Sequence, residues 1–161
     1  MIVVISDTSP IRALANLGLL DLLRELYNEV IVPQAVESEL RNPRTGQAVV
    51  ELGSFGFLKI RSPSGNPQSE RLLEGLDPGE AEALSIALEL RADLVLIDEA
   101  DARARAKQAG LATVGVLGIL IEAKHRGLLG ELAPLLDRLR DDYRFFMTTD
   151  LRSKILRLAG E

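Results

Sequence analysis

Carboxylates carry the chemistry that this sequence can offer, and their spacing says where. Two apolar runs end alike, as Val-Val-Ile-Ser-Asp7 and Leu-Val-Leu-Ile-Asp98. If both runs are neighbouring parallel strands, Asp7 and Asp98 share one sheet edge, and in open α/β sheets function gathers beyond the carboxyl ends of the strands. Each has a plainer reading. Asp7 could bond nearby backbone N–H groups as a turn residue. Asp98 could cap the helix after it, with Asp101 as a first-turn acid beside the dipole. Glu80 and Glu82 open a helix over about 78–91. Turning about 100° per residue puts Glu80 amid Ala83, Leu84, Ala87 and Leu88, and Glu82 on the wet side. A carboxylate on an apolar face is costly unless paired, which points to a cation. The alternative is a capping box in which Glu80 bonds back to the Asp77 N–H. In the helix after Pro33, Glu39 lies nearer the Ala35–Val36–Leu40 stripe than Glu37 does.

Four such acids cannot simply be gathered. One pair about 5 Å apart costs about 3 kcal/mol at an effective dielectric of 20. Four require a cation or raised pKa values. The chain has no Cys and one His, so thiolate chemistry, disulfides and imidazole-rich zinc sites are excluded. Oxygen ligands alone select Mg²⁺ or Mn²⁺, which activate water and clamp a phosphate oxygen. The net charge of −5, from 19 basic and 24 acidic side chains, argues at first against a nucleic-acid partner. Neutralising the four site acids would leave −1, so a phosphodiester substrate stays open. Six aromatics and no Trp argue against a base-stacking platform.

The elements that must position these acids alternate along the 161 residues. Strands are predicted at Ile2–Ile5, Val30–Val32, Phe57–Ile60, Leu94–Ile97 and Thr113–Val114. Ser9 as N-cap with Pro10 at the first turn opens a helix whose leucines recur to Leu26, interrupted at Gly18. Further helices are predicted from Pro33 to Arg41, over 45–53, 78–91, 98–109, 116–126, 131–141 and 150–159, with a surface loop over 61–77. This alternation implies a parallel sheet covered by helices, in one domain spanning 1–161 with the helices of about 116–160 packed on it. No run is long enough to span a bilayer, and the opening residues lack a basic n-region, so the expected location is the cytoplasm.

Taken in order, Ile5-Ser-Asp7-Thr-Ser-Pro, Val32-Pro-Gln-Ala-Val-Glu-Ser-Glu39-Leu, Leu76-Asp-Pro-Gly-Glu80-Ala-Glu-Ala-Leu and Leu94-Val-Leu-Ile-Asp98 resemble the PIN domain family. More narrowly they resemble its branch known as DUF3368, akin to the toxin nucleases of VapBC systems, over about residues 2–160. The resemblance implies a three-layer α/β/α sandwich with a mainly parallel sheet. It also implies a Mg²⁺- or Mn²⁺-dependent ribonuclease, the toxin of a toxin–antitoxin pair. The family's four acids fall on Asp7, Glu39, Glu80 and Asp98; Asp7, Glu80 and Asp98 would hold the ion, and Glu39 would bind a second ion or position the water. Ser9 carries the family's small hydroxyl. The chain departs in having Glu80 where the wider family more often has Asp, and Leu96-Ile97 where a Thr or Ser usually precedes the last acid.

Around these, Arg12 could face a substrate phosphate or be a solvated charge. Asp101 could join the site. Arg103, Arg105 and Lys107 read as a wet basic face, and His125 as an exposed residue near a helix end. A phosphoacceptor receiver needs an early acid pair and a late strand-end Lys, which are missing. A haloacid-dehalogenase-type phosphatase needs an acid where Ser9 stands. The remaining rival is an inactive PIN-like module for RNA or protein binding. RNA is the expected partner, with DNA not excluded. The leucine-rich stretches at 14–26 and 116–129 exceed one face's need, which suggests a homodimer or a groove for a small antitoxin.

Overall fold

The computed structural model describes residues 2–65, 70–71 and 73–161. Its centre is a sheet of five parallel strands, β1 (Val4–Ser6), β2 (Val30–Pro33), β3 (Leu58–Arg61), β4 (Leu94–Leu96) and β5 (Thr113–Val114), in the order β3-β2-β1-β4-β5. Eight α-helices are found among the described residues: α1 (Thr8–Asn16), α2 (Asp21–Tyr27), α3 (Gln34–Arg41), α4 (Pro78–Leu90), α5 (Ala100–Gln108), α6 (Val116–His125), α7 (Ala133–Tyr143) and α8 (Thr149–Leu158). The architecture is the three-layer α/β/α sandwich expected.

The β-branched runs form strands here because both faces of a parallel sheet are buried. Alternate side chains enter opposite cores. Val4, Val30, Val32 and Leu96 join one apolar cluster, with the buried residues of α1, α2, α6, α7 and α8. Ile5, Val95 and Ile97 join the other, with Ala83, Leu84 and Ile86 of α4 and Ala102 and Ala106 of α5. The chain runs from β1 to its neighbour β2 on one side and later returns to β4 on the other. The strand order therefore reverses between β1 and β4, which is where ligands bind in such sheets. Ser6 is in register with Leu96, so Asp7 and Asp98 leave the sheet side by side.

Several boundaries differ from the sequence reading. The break at Gly18 is present, with φ of 71°. The N-cap of α1 is Asp7 rather than Ser9, which lies inside the first turn with Pro10. Pro is tolerated there because early helical N–H groups lack intrahelical partners anyway. The expected helix over 45–53 is replaced by extended chain and one 3-10 turn, Leu52–Ser54. Gly46 at φ 89° begins this segment, and its polar groups find partners across the fold. Val50 N–H donates to the Leu40 carbonyl at 2.9 Å, and the Ala48 carbonyl accepts from Arg12 at 3.0 Å. The loop expected over 61–77 lies partly outside the described residues. Leu14, Leu17, Leu20, Leu22, Leu23 and Leu26 are all buried, so the leucine surplus of this stretch is absorbed within the chain.

Candidate functional site

At the carboxyl edge of the sheet, each acid is placed by the end of a strand or the start of a helix. Asp7 is 5% exposed, and its backbone N–H donates to the Leu96 carbonyl at 2.9 Å, fastening β1 to β4 at the point where the acid emerges. The N-terminus of α4 presses on it from above. A Cβ at Gly79 would meet Asp7 Oδ1 at 3.2 Å and Thr8 Oγ1 at 3.3 Å, so the glycine permits a close approach. Burial pushes the Asp7 carboxyl up to about 7, reinforced by the charges of Asp77, Glu39 and Asp98 and opposed by the Thr8 N–H it accepts.

Asp98 is held from two sides. Its Oδ1 accepts from the Val116 N–H at 2.9 Å, at the start of α6, and its Oδ2 accepts from Ser9 Oγ at 3.1 Å. Burial raises its pKa, while those two hydrogen bonds and the nearby Arg103 pull it down. Gly115 makes this seat possible, since a Cβ there would lie 2.5 Å from Asp98 Oδ1. Glu80 is 9% exposed on the inner side of α4. Asp77 caps that helix, accepting the Glu80 N–H at 2.8 Å. The two carboxyls also hydrogen-bond to each other. With burial first, and with Asp77, Asp7 and Glu99 as like charges, Glu80 is pushed up to about 8. Glu39 is exposed on α3, yet its Oε2 reaches back to accept from Thr8 Oγ1 at 2.8 Å.

The structure thus brings Asp7, Glu39, Glu80 and Asp98 into one electrostatic neighbourhood, with Ser9 bonded to Asp98. Arg12 lies one turn along α1, where its Nη1 donates to Ala48 O and burial lowers its pKa against the pull of Glu39. Arg12, Ser9, Glu80, Asp98 and Glu99 line a cleft of about 590 Å³. Asp101 stands apart. Like Asp7 and Glu39 it lies outside the cleft lining, but unlike them it is not among the charges acting on Asp7, Glu80 or Asp98; it is exposed in the first turn of α5, and Glu99 rather than Asp98 caps that helix. Two face assignments also change. Glu37, not Glu39, is the buried acid of α3, bonded to Gln34 at 2.9 Å and Arg41 at 3.2 Å, because α3 packs on both α1 and α4. Glu82 is half-buried, accepting the Ala35 N–H at 3.2 Å.

Sequence reasoning missed Asp77 and Glu99 as members of the acidic group, Thr8 as the link to Glu39, and Arg103 as the cation beside Asp98. Asp77 read only as a cap and Arg103 only as surface charge. The adjacent hydroxyls of Asp7-Thr-Ser were the available signal for the contacts to Glu39 and Asp98.

The donor set is of the kind that hard divalent cations take, and its raised pKa values come first from burial and then, at Asp7 and Glu80, from neighbouring like charges. As the side chains stand, no group of three or more His, Asp or Glu among the described residues is gathered to hold an ion. They are held by Thr8, Ser9, Val116 and Asp77 instead. A carboxylate can keep such hydrogen bonds and still offer a lone pair to a cation, so gathering the acids around an ion calls for the side chains to turn toward one another.

The family model for the PIN domain matches residues 3–161, and the chain belongs to that family. PIN domains are in general nucleases. The fold is similar to that of a PilT N-terminus domain protein from the hyperthermophilic archaeon Sulfolobus solfataricus. The TM-score is 0.56 at 22% identity, over 76% of this chain and 92% of that one. No curated protein matches the sequence. No helix among the described residues is long and apolar enough to cross a membrane.

Proposed function

We propose that this PIN domain is a Mg²⁺- or Mn²⁺-dependent endoribonuclease that works in the cytoplasm as the toxin of a toxin–antitoxin pair. One observation carries the nuclease reading. Glu39, Glu80 and Asp98, from distant stretches, each interact electrostatically with Asp7 where the strand order reverses, with Asp7 and Glu80 pushed up to about 7 and 8. Buried like charges of that kind call for a cation.

Asp7, Glu80 and Asp98 are the residues that would hold the ion. When bound, such an ion supplies Lewis acidity and a nucleophilic water. Glu39, anchored on Thr8, is placed to orient that water or take its proton. Ser9 keeps the Asp98 carboxylate turned toward the cleft, and Arg12 stands in the cleft wall where a phosphate oxygen would need a positive partner. The toxin role rests on the resemblance to VapBC nucleases. It predicts that expression of the chain alone arrests growth and that Asp7→Asn abolishes the arrest.

A second reading has a specific observation in its favour. Because the acids are hydrogen-bonded rather than gathered, the domain could dock RNA or protein without cutting. Incubating assorted RNAs with Mg²⁺ or Mn²⁺ separates the two. The nuclease reading expects cleavage by the wild type and loss in Asp7→Asn and Asp98→Asn. Equal cleavage by all three would mean a contaminant, and no cleavage by any would leave the docking module.

A further inference from the structure

Of the acids, Glu80, Asp98 and Glu99 line the cleft, and they share it with side chains that the proposed hydrolysis does not use. These come from the last turns of α7 and the residues just beyond them: Leu139, Tyr143, Arg144, Phe145 and Phe146. The small number of aromatics argues against a stacking platform, but of those six side chains three fall within four positions, so the scarcity is offset by their clustering. The other three serve packing: Tyr27 is buried, and Phe55 and Phe57 meet edge to face at 5.8 Å. Phe145 also packs inward. Its neighbours do not. Phe146 is 85% exposed, the most exposed large apolar side chain among the described residues, and Tyr143 is 41% exposed. A full ring left in water forgoes its burial free energy, and beside a cleft such rings mark a contact surface.

Arg144 sits between them at φ 55°, in the left-handed region that favours glycine. Its side chain makes no hydrogen bond or ion pair among the described residues, so none of them uses its charge. It lines the cleft and also an adjoining hollow of about 750 Å³, shared with Arg12, Asn16 and Gln47. Arg12 lines both hollows, and its Nη2 is a buried donor with no partner among the described residues. Two guanidinium groups and two exposed rings thus line the same cleft as Glu80, Asp98 and Glu99. Rings offer faces to bases, and guanidinium groups offer donors to phosphates.

We propose that Tyr143 and Phe146 form a base-stacking subsite for single-stranded nucleic acid, with Arg144 and Arg12 on adjacent phosphates, so that a strand is laid across the acids of the same cleft. What the subsite positions rests on the nuclease reading; strand binding itself does not. A duplex keeps its bases stacked on one another and cannot offer them to the rings.

The test measures binding of a short oligoribonucleotide carrying 2-aminopurine, by anisotropy and base fluorescence, in EDTA so that nothing is cut. Phe146→Ala should weaken the single strand by about tenfold, the order of one base stacked on one ring. Phe146→Trp should restore it. Arg144→Gly should weaken it while the melting temperature holds or rises, since glycine suits φ 55°. Leu158→Ala removes an exposed apolar side chain outside the cleft lining and should change nothing. The matched duplex should bind more weakly and ignore Phe146. Strand affinity unchanged in Phe146→Ala overturns the proposal, as does a change confined to the oligomeric mass, which would assign Phe146 to a protein interface. If Mn²⁺ gives no cleavage but binding still depends on Phe146, only the nuclease reading fails. If cleavage stands and Phe146→Ala leaves KM unchanged, only the subsite fails.

Discussion

Gly115 shows how closely single residues are constrained at this edge. Its φ of −96° suits any L-residue, so backbone strain does not require glycine there. The requirement comes from Asp98, whose Oδ1 lies where a Cβ would be. Gly115→Ala should therefore keep the fold and displace one carboxylate. We expect metal-dependent cleavage to fall by about a hundredfold, the order of effect of a misplacement of about 1 Å. Gly110→Ala, with nothing near its Cβ but a φ of 82°, should show the opposite pattern, a small loss of stability and full activity. Thermal melting and initial rates on both variants check this. Titration gives a second residue-scale prediction. Asp7 and Glu80 titrate near 7 and 8 in the folded chain, against ordinary values of 3.8 and 4.5. Between those limits the folded state holds protons that the unfolded state releases. Their contribution to stability is thus fully present below the ordinary values and is lost as pH rises through about 7 to 8. The metal-free chain should melt higher near pH 5 than near pH 8, and Asp7→Asn should flatten the slope. An apo stability that rises over this interval would contradict the assignment.

At the scale of elements, the N-terminus of α4 is the joint on which the site turns. Asp77 caps it and at the same time presses on Asp7 and Glu80 as a like charge. These effects separate by substitution. Asp77→Asn keeps a competent cap and removes the charge, so the metal-free chain should gain stability near pH 8. Asp77→Ala removes both, and the lost cap costs about 1 kcal/mol. Denaturant melts of the two variants at that pH check the difference. The same joint marks where sequence reading reaches its limit. The strands, their parallel order and the emergence of Asp7 and Asp98 at one edge were legible because β-branched runs ending in an acid are a local signal. The inward side of Glu80 was legible because helical periodicity fixes it. Side-chain partners were not. Spacing gives the face of a residue but not its rotamer, so nothing in the sequence said that Ser9 would turn to Asp98 or that Thr8 would hold Glu39. The 45–53 segment was misread because its backbone is fastened by Arg12 of α1 and the Leu40 carbonyl of α3, elements that a local window does not contain. Glu37 was misassigned for a related reason, since α3 is flanked on two sides and not one.

For the whole molecule, the cluster explains how an acidic protein of net charge −5 can belong to a family that acts on nucleic acid. Folding alone concentrates carboxylates at the switch point of the sheet and raises the pKa of two of them to about 7 and about 8. On the proposed metal-site reading, the protein's own hydrogen bonds hold the edge together until a cation displaces their protons. A cation must then stabilise the fold as a whole, and more strongly at higher pH, where fewer protons compete. The direct test is thermal melting during Mn²⁺ titration. Saturating the wild type to about a hundred times the Kd should raise the melting temperature by roughly 5–10 °C near pH 8. The shift should be smaller near pH 6 and absent in Asp98→Asn. A wild-type melting temperature indifferent to Mn²⁺, or an equal shift in Asp98→Asn, would contradict the metal site and the nuclease built on it.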